Sequence, residues 1–168
     1  MTTAAVGATR AATRVIALGN PLRGDDGIGA AVLAELTRYP LPAGIELLDG
    51  GTPGLETVLL LQGCHRVLFI DAADLGLAPG QWRRFTLAEA RLLSHDLTLR
   101  GTLHYAGLAE ALTLGEALGQ LPPYLTIYGI QPADIGWEIG LSAAVQTAIA
   151  PIAQAIYEEL THAQNSSD

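Results

Sequence analysis

The sequence predicts an α/β fold, in which a single domain holds a twisted, largely parallel sheet of about five strands sandwiched between helices. Short continuous apolar runs, the pattern of strands buried on both faces, alternate along the chain with segments of helical periodicity. Such alternation is typical of parallel sheets covered by helices on both sides. A chain of 168 residues with 49% hydrophobic residues is also large and apolar enough for one core.

The first half of the chain contains three predicted strands. Residues 13–18 form an apolar run that enters a Gly/Pro-rich loop, and residues 27–38 follow with apolar side chains on one helical face. Residues 45–49 form the second strand, and the turn after it leads into a helix over 54–62. The third strand, residues 66–72, is the most continuous apolar run and closes on an aspartate.

The second half adds two strands and the remaining helices. Residues 81–86 form a more exposed strand, and residues 87–103 are expected to hold a short helix and a loop. A helix over 104–118 precedes the strand at 124–130. The last helix is predicted from a Ser142 cap to about Leu160, because apolar residues recur there at helical spacing.

The two ends of the chain are polar or of low complexity. We expect residues 1–12 to be a disordered tail, residues 13–160 to be the single domain and residues 161–168 to be a polar C-terminal tail. The first residues lack the apolar core of a signal peptide, and no apolar stretch approaches a membrane span. A single cysteine permits no intrachain disulfide. We therefore expect a cytoplasmic protein without membrane association.

The charge of the chain narrows the classes of partner. The net charge is −8, and all nine basic residues are arginines. The absence of lysine excludes a lysine-based phosphate clamp and Schiff-base chemistry. The acidic balance argues against nucleic-acid binding, which needs a basic surface, and suits cationic partners or metals.

The loop after the first strand carries the most informative motif. Its spacing, Gly19-x4-Gly24, matches the first part of a phosphate-binding loop, which would continue with Lys-Ser/Thr. Here Asp25 and Asp26 follow instead, and two carboxylates repel a phosphate but attract a cation. A purely structural explanation is that negative charges at the start of a helix complement the helix dipole.

Three residues are candidate metal ligands. Asp26 and Asp71 each follow or close a predicted strand, so both are expected at the carboxyl ends of the parallel strands. His104 begins a predicted helix, on its apolar face. Two carboxylates and one imidazole suit a borderline divalent ion with open coordination positions. The alternatives are a turn carboxylate for Asp71 and a hydrogen-bonded core residue for His104, since spacing alone does not show that the three converge.

Four segments in order resemble one protein family. They are LGNPLRGDDGIG, LLDGGTPGLE, VLFIDA and LHYAGLAEAL, and the resemblance spans about residues 13–160. The chain resembles the hydrogenase maturation endopeptidases, proteases that trim the large subunit of nickel–iron hydrogenases. Their fold, a twisted sheet of about five strands between helices, agrees with the fold predicted above.

The resemblance implies an activity, a partner and a site. The enzyme would remove a short C-terminal extension from a large-subunit precursor once nickel has been inserted, and it would recognise the substrate's nickel rather than hold a metal of its own. We expect it to be monomeric. The residues for nickel recognition and catalysis would be Asp26, Asp71 and His104. The supporting residues would be Asn20, Asp25, Asp49, Gly50, Gly51 and Thr52.

Several alternatives stay open at this point. The nickel would polarise the scissile carbonyl or a bound water, or one carboxylate would act as general base. The loop at 131–137 would contact the substrate through Trp137, or Trp137 would pack on the sheet edge. Two other functions compete with the protease: a nucleotide- or flavin-binding module, based on the Gly-rich loop, and a small-molecule metallohydrolase with its own metal.

Overall fold

Five strands form one mixed sheet in the computed structural model, which describes residues 12–94 and 103–165, and the side chains of 12–92 and 107–163. The strand order is β2-β1-β3-β5-β4; four strands are parallel and β4 runs antiparallel to β5. The predicted α/β fold with a largely parallel sheet is confirmed. The strands are β1 Ala12–Ala17, β2 Ile45–Asp49, β3 Cys64–Ala72, β4 Trp82–Thr86 and β5 Tyr124–Ile130.

The described residues also form four α-helices and two 3₁₀ helices, all of which lie between strands except the last α-helix, which follows β5. The α-helices are α1 Ile28–Leu36, α2 Leu87–Ser94, α3 Leu103–Ala117 and α4 Ala143–Asn165, and the 3₁₀ helices are Gly24–Gly27 and Leu55–Leu61. No helix in the described parts of the chain is both long enough and apolar enough to cross a membrane.

The helix boundaries differ from the predicted ones at three places. The helix predicted over 27–38 is shorter and follows a separate 3₁₀ turn, and the helix predicted over 54–62 is a 3₁₀ helix. The last helix reaches Asn165 instead of about Leu160, so it includes much of the predicted polar tail. At the other end, the predicted tail over residues 1–12 lies outside the described residues except for Ala12, which begins β1.

The sheet is buried on both faces, which explains the continuous apolar runs in its strands. Successive side chains of a strand point to opposite faces. Val15 and Leu68 pack with α1 and α4 on one side, while Ile16 and Phe69 pack with the Leu55–Leu61 helix and α3 on the other. All four side chains are fully buried.

The order of the strands reverses at β1. The chain places β2 on one side of β1 and then crosses to place β3 on the other side. In open α/β sheets, the crevice at such a switch point, outside the carboxyl ends of the strands, is where ligands bind. Here the amide of Leu18 donates to the Ile70 carbonyl at 2.8 Å, which holds the start of the loop after β1 against the end of β3.

A cluster of charged side chains joins the sheet to α4. The Glu159 carboxylate accepts from Arg84 Nε at 2.7 Å and from Tyr128 Oη at 2.6 Å, and Arg66 Nη1 lies 3.7 Å away. Burial alone would raise the pKa of Glu159, but the hydrogen bonds from Arg84 and Tyr128 outweigh burial and hold that pKa below its ordinary value. Glu159 therefore stabilises the fold as an anion.

Replacing Glu159 by glutamine is expected to lower the free energy of unfolding by about 2 kcal/mol at pH 7, since a charged hydrogen-bond network with little exposure is lost. Because the folded-state pKa is lowered, the stabilisation is complete above the ordinary glutamate pKa of about 4.3 and is lost as the pH falls through the folded-state pKa. Urea unfolding of both proteins at pH 7 and in acid measures the difference and its loss.

The matched control for this prediction is Glu46→Gln. Glu46 is also paired with an arginine, Arg14, but its side chain is 54% exposed. Exposed pairs contribute less than about 1 kcal/mol. Equal destabilisation by both substitutions, at every pH, would contradict the role assigned to Glu159.

Candidate functional site

The loop after β1 closes tightly at Gly19. Its φ of +117° is a backbone conformation that residues other than glycine rarely adopt. A Cβ at this position would also overlap the carbonyl oxygen of Asp26. The Gly19 amide donates to the Gly51 carbonyl at 2.9 Å. Glycine at this position thus allows the loop to fold back and place Asp26 beside the end of its own strand.

The backbone amides of this Gly-rich loop are all occupied. Each amide from Leu18 to Asp26, apart from Pro21, which has none, donates to a protein oxygen. In chain order the acceptors are Ile70 O, Gly51 O, Asp26 Oδ2, Asn20 Oδ1, Asn20 O, Glu138 O, Asp134 O and Arg23 O. A phosphate-binding loop keeps such amides free to surround its ligand. The spacing of the two glycines therefore does not produce a phosphate site.

Asp26 and Asp71 come together at the switch point, buried at 1% and 4% exposure. Asp26 Oδ2 accepts the Asn20 amide at 2.8 Å. Asp71 Oδ1 is buried and accepts no hydrogen bond from the described part of the chain. Burial first, and then the charge of Asp26, raise the pKa of Asp71 well above its ordinary value, against a smaller opposite effect of the Ala72 amide.

The chemistry of this pair of carboxylates suits a cation. A buried acidic oxygen without a hydrogen-bond donor is costly, and two neighbouring carboxylates cannot both be ionised cheaply. A divalent ion removes both costs, because it supplies a ligand bond to the orphan oxygen and neutralises the repulsion. The arrangement can therefore bind a metal ion through oxygen ligands or share a proton.

His104 is the second residue of α3, and its side chain lies outside the described residues. The backbone nevertheless places the start of α3 at the same end of the sheet. A Cβ on Gly107 would overlap the Pro53 carbonyl, and the turn before Pro53 reaches the site through Gly51 and Gly19. Among the side chains that are described, no three His, Cys, Asp or Glu form a metal-binding group. His104 as a third ligand thus stays a prediction.

Asp25 serves a different purpose from its neighbour. Its Oδ1 accepts the Ser142 amide at 2.6 Å, and its Oδ2 accepts the Ala133 amide at 2.8 Å, the Asp134 amide at 3.1 Å and Ser142 Oγ at 2.8 Å. Burial would raise the pKa of Asp25, but the backbone hydrogen bonds outweigh it and lower the pKa. Asp25 therefore fixes the 131–142 loop and the start of α4 to the loop that carries Asp26.

Most of the other predicted supporting residues form hydrogen bonds with the backbone of the loops beside Asp26. Asp49 Oδ1 accepts the Gly51 amide at 2.9 Å, and the Gly50 amide donates to the Ala17 carbonyl at 2.8 Å. Asn20 contributes its amide to Asp26 and its side-chain oxygen to the Leu22 amide. Thr52 is exposed. The hydrogen bonds of Asn20, Asp49 and Gly50 therefore hold the loops beside Asp26 in place.

Gln131 was not identified from the sequence. It follows β5 directly and is 9% exposed. Its Oε1 accepts the amides of Leu75 at 2.6 Å and Leu77 at 3.2 Å, which orders the segment that follows the strand of Asp71. The available signal was an uncharged amide immediately after a buried strand, where a buried polar group has to find partners.

Trp137 does not pack on the sheet edge, so that alternative is wrong. Its side chain is 78% exposed, and the Arg23 guanidinium carbon lies 5.0 Å from the centre of its ring. The contact joins the 131–142 loop to the loop after β1 from the outside, while Asp25 joins them from the inside.

Comparison with known proteins identifies relatives over most of the chain. A family model described as hydrogenase maturation protease matches residues 30–159. The hydrogenase expression/formation protein HupD of Bradyrhizobium diazoefficiens is 34% identical over 82% of this chain and 71% of its own length. The hydrogenase 2 maturation protease of Escherichia coli is 31% identical over 87% of this chain and 88% of its own length.

Solved structures give the same relationship. The hydrogenase maturating endopeptidase HybD from E. coli superposes with a TM-score of 0.81 at 28% identity, covering 90% of this chain and 93% of the other. A hydrogenase 2 maturation peptidase from a Thaumarchaeota archaeon gives a TM-score of 0.67 at 32% identity, covering 89% and 97%. The fold and the sequence therefore point to one group of enzymes.

Proposed function

The chain is a peptidase that belongs to the hydrogenase maturation protease family, and from this we propose that it removes the C-terminal extension of a nickel–iron hydrogenase large-subunit precursor after nickel insertion. In this proposal the nickel belongs to the substrate, and the enzyme recognises a nickel-loaded precursor by this metal. We assign the reaction to the cytoplasm, a reducing compartment in which disulfides are rare, because the single cysteine of this chain cannot form an intrachain disulfide.

The observation that carries the proposal is the orphan Oδ1 of Asp71 next to the Asp26 carboxylate. Before the substrate arrives, ionisation of Asp71 is opposed by burial and by the charge of Asp26. A precursor that presents Ni²⁺ with open coordination positions supplies the missing cation, whereas a precursor without nickel leaves the repulsion in place. Discrimination between the two precursors thus follows from the charge of the site.

The cleavage step follows from positioning. Asp26 and Asp71 would bind the substrate's nickel through oxygen, and His104 would add an imidazole nitrogen. The bound nickel then fixes the neighbouring peptide bond in the crevice at the ends of β1 and β3. Hydrolysis consumes one water: its oxygen adds to the scissile carbonyl carbon, the carbon–nitrogen bond breaks, and the released amine takes up a proton.

The two competing functions have less support. A nucleotide or flavin module needs free amides in the Gly-rich loop, and these amides are occupied by protein oxygens from Leu18 to Asp26. A small-molecule metallohydrolase with a permanent metal does not agree with relatives that are described as proteases of hydrogenase maturation.

The proposed function is tested with two forms of the same precursor. We expect the nickel-loaded precursor to lose a C-terminal peptide and the nickel-free precursor to remain intact, because only the former neutralises the Asp26–Asp71 pair. Intact-mass spectrometry of both after incubation measures the loss.

Two further samples make the test specific. Precursor loaded with nickel but incubated without the enzyme controls for spontaneous cleavage. His104→Ala tests the third ligand: it should process the loaded precursor at least about 100-fold more slowly, the scale expected when a precisely placed group is lost. Equal trimming of loaded and nickel-free precursor would refute recognition through nickel.

A further inference from the structure

Three exposed apolar side chains and one half-buried arginine lie on the two loops that Asp25 joins, and we propose that they dock an apolar segment of the precursor that carries an Asp or Glu side chain. This inference rests on the proposed function and names the surface by which that function selects its substrate. The surface, called here the rim surface, consists of Leu22, Arg23, Trp137 and Ile139.

The rim surface is built from two loops that are fixed to each other. Leu22 and Arg23 belong to the loop after β1, and Trp137 and Ile139 belong to the 131–142 loop. The Gly24 amide donates to the Glu138 carbonyl at 2.6 Å, between these pairs of residues. Because Asp25 adds four hydrogen bonds to the second loop, the rim surface is rigidly connected to Asp26.

The apolar part of the rim surface is exposed to a degree that favours a partner. Leu22, Trp137 and Ile139 are 56%, 78% and 81% exposed. Single exposed apolar residues are common on protein surfaces, but three of them on two joined loops, one of them a tryptophan, are typical of interaction sites.

Arg23 gives the docked segment its charge. Five of the other six described arginines, Arg14, Arg38, Arg66, Arg84 and Arg91, each lie within 4 Å of a carboxylate, whereas Arg23, like Arg83, forms no such pair among the described residues. Its Nε is buried without a hydrogen-bond partner in the same part of the structure, and its guanidinium is held over the Trp137 ring. A guanidinium oriented on an aromatic ring is prepared to receive a carboxylate with two hydrogen bonds.

The occupant is therefore a peptide segment with both properties. Its apolar side chains would cover Leu22, Trp137 and Ile139, and its carboxylate would satisfy Arg23. The precursor is the partner that also delivers nickel to Asp26 and Asp71, so one protein would fill both the site and its rim. The rim surface would then act on substrate binding and leave the chemical step unchanged.

The test is steady-state processing of the nickel-loaded precursor by Arg23→Gln and Trp137→Ala. Each variant is expected to raise KM about tenfold or more and to leave kcat within about twofold, the pattern of lost binding that is equal in ground and transition states. Changing the precursor's acidic residues one at a time to the corresponding amide should identify one that raises KM for the wild-type enzyme but not for Arg23→Gln.

Matched controls separate a specific surface from general effects. Arg83→Gln removes an exposed arginine of β4 that has no ion pair among the described side chains, and Leu118→Ala removes a 54% exposed leucine just after α3. Both should match the wild type in KM. Circular dichroism melting of all variants verifies that they fold, and Trp137→Phe provides a milder change with an intermediate KM.

The outcomes distinguish the two proposals. Wild-type enzyme that fails to trim the loaded precursor refutes the proposed function. Wild-type enzyme that trims it, together with rim variants of unchanged KM, refutes the rim surface and leaves the function standing. Light scattering adds one more outcome: if Trp137→Ala dissociates a dimer and KM is unchanged, a second copy of the chain occupies the surface and the inference is wrong.

Discussion

Replacing Asp71 by asparagine should reduce precursor trimming by about 10²–10⁴-fold, the range by which a positioned acid–base group accelerates a reaction. The amide has nearly the same shape but lacks the negative charge that the Asp26–Asp71 pair offers to a cation. Its Nδ2 also donates hydrogen bonds and cannot bind a metal ion. Single-turnover processing of the nickel-loaded precursor, followed by intact mass, measures the rate.

The folding of this variant separates lost chemistry from lost structure. Because the pKa of Asp71 is raised in the folded protein, the folded state holds a proton more tightly than the unfolded chain, and ionisation opposes folding as the pH rises above the ordinary aspartate pKa of about 3.9. Asp71→Asn removes this penalty. Its free energy of unfolding should therefore equal or exceed that of the wild type at pH 7, and the difference should vanish in acid.

Asp74→Asn is the matched control, because Asp74 lies three residues further along and is exposed. It should trim within about twofold of the wild type, as surface substitutions of this kind change little. An Asp71→Asn enzyme that is folded and fully active would contradict the assignment of Asp71 to the site.

Replacing Asp25 by asparagine should have the opposite effect on stability and lower the free energy of unfolding by about 3 kcal/mol at pH 7. The carboxylate accepts three amides and one hydroxyl, and an asparagine amide group would face some of these donors with donors of its own. Leaving buried donors unsatisfied costs about 1–3 kcal/mol each. Denaturant unfolding at pH 7 measures the loss.

The pH dependence of this effect has a defined sign. The folded-state pKa of Asp25 is lowered, so its stabilisation is complete above the ordinary aspartate pKa of about 3.9 and disappears as the pH falls through the folded-state value. The wild type and Asp25→Asn should converge in acid. Ser142→Ala, which removes one of the four donors and the Ser142 Oγ contact with the Val145 amide, should cost only about 1 kcal/mol. Equal stability of wild type and Asp25→Asn at pH 7 would contradict the role of Asp25.

The sheet was predictable because its strands are buried on both faces. Continuous apolar runs mark such strands directly, and β2 and β5 begin and end at the predicted residues, 45–49 and 124–130. Helix type and length were less predictable. Residues 55–61 follow Gly54 and end in three consecutive leucines, and nothing in that local pattern distinguishes a 3₁₀ helix from an α-helix. The polar residues after Leu160 belong to α4, which continues to Asn165, and their composition did not reveal this.

The site was predictable in part for the same reason. Both Asp26 and Asp71 were expected at the carboxyl ends of the parallel strands, although spacing alone did not show that they meet. The structure places β1 next to β3 and brings the two aspartates together. The partners of Asp25 were not predictable, because Ala133, Asp134 and Ser142 are more than a hundred positions away in the sequence and donate through their backbone. The same holds for Gln131, whose acceptor role depends on the path of a loop.

The neighbouring aspartates in the 3₁₀ turn also set a rule for how this loop can vary. A 3₁₀ helix has about three residues per turn, so one position corresponds to a rotation of about 120°. Deleting one residue between Gly19 and Asp25 would bring Asp26 to the position that clamps the 131–142 loop and would leave Gly27 in the position beside Asp71. The number of residues in this loop is therefore under a strict geometric constraint, because a change of length takes one carboxylate away from its position.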